Sequence, residues 1–197
     1  PEKVIAIPNP APFDAFPDAL YTKENRLLFV GRINYQQKRA DLLLDIWAKI
    51  FEKFPEWHLD VVGYGPQLNN LKRKSSDMHL KRIHFYGHKD PRPFLKKAKF
   101  LLMTSSFEGY GMVLVEAKAY GLVPFAFNTF SALQDIITHE KDGVVIKPYD
   151  INTYCNKLAY LIQNDYKRFQ MAKSGLSSIS KYDSEKIAES WLSLFKI

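Results

Sequence analysis

The sequence predicts an α/β fold: a parallel sheet of about six strands with helices on both faces. Three observations carry this. Six short apolar runs rich in Val, Ile, Leu and Phe recur along the chain. They are mostly continuous rather than alternating, as strands buried on both faces are. Helical patterns lie between them, and repeated strand–helix alternation implies parallel pairing through crossovers.

The elements follow in order. Residues 27–30 form the first strand run. Residues 38–54 then place Leu42, Leu43, Ile46, Trp47, Ile50, Phe51 and Phe54 at helical spacing. Asp41 falls in the first turn of that helix, where an acid suits the positive end of the dipole. Strand runs at 59–62 and 83–86 come next, then a short helix at 91–99 started by Asp90 and Pro91. A strand at 100–103 leads to a helix at 112–120 closed by Gly121. Strands at 123–127 and 144–146 precede a helix at 150–163 with Asp150 as its N-cap. A final amphipathic helix, 183–195, turns Ile187, Ala188, Trp191, Leu192 and Phe195 inward. Cys155 shares an apolar face with Ile151, Tyr154, Leu158 and Ile162, which makes it a core residue rather than a nucleophile.

Composition bounds the function. The chain has 197 residues, enough for one sizeable core but not for two comfortable domains. With 46% hydrophobic and 14% aromatic residues it has too much buriable surface to stay disordered. No apolar run is long enough to span a bilayer, and the first ten residues do not read as a signal peptide. The absence of a starting Met leads us to expect a processed chain or one cut from something longer. A single Cys excludes an internal disulfide and suggests a reducing, cytoplasmic compartment. The net charge of +7 is uneven. Residues 66–99 hold ten Lys and Arg against Asp77 and Asp90, while the rest carries eighteen basic against nineteen acidic residues. Two readings of that stretch stand: a contact for an anionic lipid surface, or a pair of solvated helix faces. No stacking aromatics alternate with these cations, which argues against nucleic acid.

In a parallel α/β sheet, ligands bind at the carboxyl ends of the strands. Three loops there carry candidates. The first, 31–38, sets Arg32 just past a strand and Lys38 at the mouth of a helix, where two cations are locally unfavourable unless an anion joins them or water screens them. The second, Gly63-Tyr64-Gly65-Pro66, permits a tight turn but falls short of a dinucleotide fingerprint. The third, 105–111, brings Gly109 and Gly111 to a helix N-terminus, a ready anion site. Glu116 follows among Val113, Leu114, Val115, Ala117 and Ala119, where a carboxylate is costly to bury without partners; the alternative is that it edges into solvent. A ligand answering these demands has a diphosphate for Arg32, Lys38 and the glycine amides, and hydroxyls for Glu108 and Glu116. A nucleotide-sugar has both.

The spacing of Glu108 and Glu116 within residues 107–117, together with Gly31-Arg32, Lys38, Gly63-Tyr64-Gly65-Pro66 and Asp142-Gly143-Val144-Val145, resembles the donor-site signature of retaining glycosyltransferases of family 4, also called group 1. The match runs through nearly the whole chain in the family's order. The resemblance implies the C-terminal, Rossmann-like half of a GT-B enzyme. Residues 1–20 would be the crossover from a first, acceptor-binding domain, 21–182 the nucleotide-sugar domain, and 183–197 a helix packing back towards the absent half. It implies that Arg32 and Lys38 bind the diphosphate, that Glu108 meets the transferred sugar, and that Glu116 holds the ribose. The amides of Gly109, Tyr110 and Gly111 would meet the phosphates and sugar, Gly31, Met112 and Val113 would also bind the donor, and Gly87 and His88 would lie near the base. Arg32, Lys38 and Glu108 would be the catalytic set, without a protein nucleophile.

The implied reaction is hexosyl transfer with retention, within polysaccharide biosynthesis, to a glycan or lipid-linked acceptor. The donor would be a UDP-sugar before a GDP- or ADP-sugar. No cofactor or metal is implied, and the five His residues show no zinc spacing. The isolated domain is expected to bind donor without turnover, in the cytoplasm or at the cytoplasmic membrane face. The competing readings are an epimerase or phosphorylase of the same architecture, and a non-catalytic basic module. Two departures from the family stand out. Arg39 occupies a place where many relatives have Gly. The segment 128–135 lacks paired glycines before Asp135, and Phe130 there would narrow the sugar side of the pocket.

Overall fold

The computed structural model describes residues 5–12 and 14–195. Residues 1–4 and Phe13 of the expected crossover 1–20, and residues 196–197 of the expected terminal helix, lie outside them. Six parallel strands make one sheet: β1 (Arg26–Val30), β2 (His58–Val62), β3 (Ile83–Gly87), β4 (Phe100–Met103), β5 (Val123–Phe127) and β6 (Val144–Ile146). Their order is β3-β2-β1-β4-β5-β6. The chain therefore builds outward from β1, returns to the centre at β4, and builds outward the other way. The order of strand addition reverses between β1 and β4, and loops after neighbouring strands at such a switch point leave a crevice.

Each strand run read from the sequence is a strand, with its limits matching to within a residue. Continuous burial explains the clarity: all of β4 and β5 is buried, and β1 is buried through its middle. One face of the sheet carries Leu27, Phe29, Phe100, Leu102 and Phe125 against Trp47 and Tyr154. The other carries Leu28, Leu101, Met103 and Ala126 against Leu114, Val115 and Tyr182.

The helices show where local pattern fell short. α1 (Ala40–Ile50) begins two residues later than the expected start, because Arg39 takes a left-handed conformation at its N-cap, φ 46°. α2 (Leu68–Asp77) and α3 (Arg92–Lys97) fall within the basic stretch. α4 (Met112–Ala119) ends at Tyr120 and Gly121, the latter at φ +70°. α5 (Leu133–Ile136) is a single turn. α6 (Ile151–Gln163) starts as read, with Asp150 accepting from the Thr153 amide at 3.0 Å. Cys155 on α6 is buried, and burial pushes its thiol up to about 11, which keeps it protonated and inert.

α7 (Asp165–Ser177) was not read from the sequence at all. Its buried positions are Arg168, Met171, Ala172 and Gly175, a helical spacing carried by residues that do not register as apolar. α8 (Ser184–Phe195) was expected to face inward, and here the structure differs. Ile187 is buried, but Ala188, Trp191, Leu192 and Phe195 are exposed. The amphipathic period was correct, yet no described part of the chain lies opposite that face.

Candidate active site

The loops after β1, β4 and β5 are stitched into one unit at the switch point. Asn34 Oδ1 accepts from the amides of Gln37 at 3.2 Å and Lys38 at 2.7 Å, a local turn that fixes Lys38 before the helix begins. The Ser106 amide donates to the Gln37 carbonyl at 2.7 Å, and Thr104 Oγ1 donates to the Lys38 carbonyl at 2.8 Å. From the β5 side, Thr129 Oγ1 donates to the Ser105 carbonyl at 2.8 Å.

Lys38 folds back over Gly31: a Cβ there would lie 3.4 Å from Lys38 Cε. Its ammonium reaches Glu108 Oε1 at 2.6 Å, and Ser105 Oγ donates to the same oxygen at 2.6 Å. The conflict of two cations at the start of α1 is therefore relieved within the chain, by a carboxylate from the neighbouring loop. Arg32 is exposed and makes no ion pair among the described residues.

The Gly63–Gly65 turn has a packing role. Added Cβ atoms would sit 1.8 Å from the Gly31 carbonyl oxygen and 2.2 Å from that of Ile33. The bare backbones approach closely enough for the Gly31 amide to donate to Val62 O at 3.1 Å and Ile33 to Tyr64 O at 3.0 Å. Gly87 joins the same ledge, accepting from the Gly63 amide at 2.8 Å, while His88 beyond it is exposed. These two stand at the sheet edge, one strand removed from the switch point.

Gly111, at φ +90°, turns the chain into α4. Among the described residues, the amides of Gly109, Tyr110, Gly111, Met112 and Val113 donate to nothing, so the helix opens on unsatisfied N–H groups. Nothing lies within 4 Å of where a Cβ on Gly109 would stand, whereas Phe130 would come within 3.0 Å of one on Gly111. Phe130 thus rests against the mouth of this turn. Asp135 is exposed on α5, and its carbonyl accepts from Lys181 and Tyr182.

One turn further along α4, Glu116 is half-buried and its carboxylate accepts no hydrogen bond among the described residues. Burial pushes its carboxyl above its ordinary value, against the pull of Lys38. The arrangement is one cation held by one acid, a second acid without a partner, a free cation nearby and a row of free amides. It is a polar cluster with unanswered charges and open amides at the strand ends. Asn34, Ser105 and Thr129 were not read as part of it. An Asn ahead of a helix is a legible turn signal, but nothing in sequence joins Thr129 to a loop 24 residues away.

Other charges resolve differently. In the basic stretch, Lys74 pairs with Asp45, Arg92 with Asp90, Lys97 with Glu24 and Lys99 with Asp165. Arg82 donates to the carbonyls of Phe51 and Trp57. Among the described residues, no group of three or more His, Cys, Asp or Glu is placed to hold a metal ion, and no helix is long and apolar enough to cross a membrane.

A doubly wound sheet with polar side chains and open amides at its switch point defines a class of α/β domains whose strand-end loops form the ligand crevice. Comparison narrows that class. Residues 11–177 match the sequence model of the family described as glycosyl transferases group 1, and the chain belongs to that family. It is 30% identical over 198 aligned positions to the amylovoran biosynthesis glycosyltransferase AmsD of Erwinia amylovora, covering 96% of this chain and 55% of that protein. It is 29% identical over 161 residues to the poly(ribitol-phosphate) alpha-N-acetylglucosaminyltransferase of Staphylococcus aureus, covering 80% of this chain and 33% of that one. The crystal structure of an S. aureus TarM variant with fondaparinux, alpha-GlcNAc-glycerol and UDP superposes with TM-score 0.81 at 26% identity, covering 98% of this chain and 38% of that one. The fold is also that of Anabaena HepE, solved with UDP and glucose, at TM-score 0.80 and 18% identity, with 93% and 55% covered. The chain spans about half or less of the length of these relatives.

Proposed function

We propose that this chain is the donor-binding half of a GT-B enzyme that transfers a hexosyl group, with retention, from a nucleoside-diphosphate sugar to a glycan or lipid-linked acceptor. The observation that carries it is the Lys38–Glu108 pair beside the unpartnered Glu116 and the free amides of α4. The similarity to proteins solved with UDP favours UDP as the nucleotide.

Each group then has a task. The bond between the anomeric carbon and the diphosphate oxygen breaks with negative charge growing on the departing phosphate. Arg32 and Lys38 stabilise that charge, and donors already aimed at it need no reorganisation. The α4 amides bind the phosphates at the positive end of the helix dipole. Glu108 accepts from a sugar hydroxyl, and Glu116 accepts from the ribose hydroxyls, which remove the cost of its burial. Lys38 is held near Glu108 until the diphosphate competes for it. Gly87 and His88 lie towards the base. In this reading two side-chain cations act where a divalent ion would otherwise serve. The exposed face of α8 packs on the acceptor half, and the enzyme works in the cytoplasm, at the membrane surface where its acceptor requires it. The ion pairs that neutralise much of the basic stretch speak against a purely basic docking module.

Calorimetric titration with UDP, GDP and ADP tests the proposal: UDP is expected to bind best, and absence of heat with all three overturns it. Lys38→Ala should weaken UDP binding by about 1.5–3 kcal/mol, the worth of a hydrogen bond to a charged group. An unchanged dissociation constant would remove Lys38 from the site.

A further inference from the structure

The loop carrying Gly109 and Gly111 is open on its outer side. Between the two glycines, Tyr110 turns inward and packs against the core layer that contains Tyr182. The two rings meet edge to face, centroids 6.5 Å apart at 79°. Tyr182 is 1% exposed. Burial and the adjoining Tyr110 side chain push its phenol well up, so it stays a neutral hydroxyl at any working pH.

Tyr182 also touches both segments that lead away from the domain. Its carbonyl accepts from the Ala11 amide at 2.8 Å. Its hydroxyl donates to the Asp135 carbonyl at 3.3 Å, which fixes the ring from the α5 side. The next residue, Asp183, starts α8: its Oδ1 accepts from the amides of Glu185 and Lys186, each at 3.1 Å, and its carbonyl accepts from Ile187 at 3.0 Å. One buried residue therefore meets the entering segment, the root of the terminal helix and the glycine loop.

We propose that Tyr182 is a positioning residue that couples the entering segment at Ala11 and the root of α8 to the glycine loop through Tyr110. The inference rests on the reading above, in which those two segments are the links to an acceptor half and the loop receives the donor. A shift of either link displaces the Tyr182 ring, and the ring carries Tyr110 and its flanking amides with it. Linkage makes the effect reciprocal: a ligand on the loop must bias the links by the same free energy.

Amide hydrogen exchange on the full polypeptide, with and without saturating UDP, reads this directly. In the wild type, UDP should slow exchange at Ala11 and at Glu185–Ile187 by at least about fivefold, the lower range of site-to-site coupling. In Tyr182→Leu the ring is gone while the backbone carbonyl that meets Ala11 remains. UDP should still protect the first turn of α4 there, while the protection at Ala11 falls to within about twofold of none. Turnover per UDP-binding site, counted by titration so that unfolded protein does not contribute, should fall while the donor KM stays nearly constant. Tyr110→Leu removes the facing ring and should abolish the Ala11 response in the same way, which keeps the test open if Tyr182→Leu folds poorly. Wild-type binding of UDP without protection at Ala11, or protection that persists in both variants, overturns the coupling alone. Absence of UDP binding to the wild type overturns the donor-site reading and the coupling with it.

Discussion

Two lysine–carboxylate pairs of nearly equal length serve opposite ends in this protein. Lys118 on α4 meets Asp142 at 2.8 Å with 0% and 7% of their side chains exposed. Lys38 meets Glu108 at 2.6 Å with 17% and 8% exposed. Around Lys118 every group is answered: its ammonium also donates to Ile136 O at 2.6 Å, and Asp142 Oδ1 accepts from the Thr138 amide at 2.8 Å. That pair ties α4 to the turn before β6 and has no capacity left for a ligand. Around Lys38 the answers are incomplete among the described residues: Arg32 makes no ion pair, the Glu116 carboxylate accepts no hydrogen bond and the first α4 amides are open. What separates the structural pair from the candidate site is unsatisfied capacity at an open strand edge, not the identity or length of the bond.

The largest effect should come from breaking the closed pair. Lys118→Ala leaves Asp142 buried beside an empty volume and should cost about 3–5 kcal/mol, the usual penalty for removing one partner of a buried pair. Thermal unfolding would show this as a fall in Tm on the order of 10 °C for a chain of this size. Lys38→Ala should cost far less stability and act mainly on nucleotide affinity. Equal losses of Tm in the two variants would erase the distinction between the pairs.

A smaller effect of opposite sign is expected at Glu116. Its carboxyl is raised in the folded chain, so the ionised form is a stability cost above the folded-state value and no cost below the unfolded one. Glu116→Gln should therefore raise stability at neutral pH by about 0.5–1 kcal/mol, as removal of a strained functional group commonly does. The advantage should shrink as pH falls towards the ordinary carboxylate range, while UDP affinity drops. Denaturant titrations at neutral and acidic pH check it, and a Gln variant less stable than wild type at neutral pH would contradict it.

An effect of similar size sharpens how Lys38 is held. Arg39 sits at φ 46°, where a Cβ is strained, and it recovers part of that cost through Asp41 at 3.0 Å and the Tyr149 ring at 5.3 Å. Arg39→Ala keeps the strain and loses the contacts, whereas Arg39→Gly loses both. The Gly variant should be more stable than the Ala variant by about 1 kcal/mol, measurable in the same unfolding assay.

The core of the fold was legible because it rests on local repetition. Continuous apolar runs marked the strands, and Asp150 and Gly121 marked helix ends. α7 was not legible, because Arg168 and Gly175 occupy its inward positions. In the candidate site, the glycine turn and the spacing of Glu108 and Glu116 could be read directly, since they lie within one strand–loop–helix unit. The structure brings Lys38 to Glu108, but as a direct pair rather than as a cation waiting for an anion.

By itself, then, the sequence determined the six strands, the buried thiol and the residue types gathered at the strand ends, because burial and backbone geometry act over a few residues. Only the tertiary structure decided which charges meet. Lys38 and Glu108 are 70 residues apart and touch because β1 and β4 are neighbours at the sheet's centre. The same long-range placement quiets part of the basic stretch with Asp45, Glu24 and Asp165, and leaves the apolar face of α8 in solvent. Charge pairing and the covering of a helix face depend on strand order and on what lies opposite, and no local pattern encodes either.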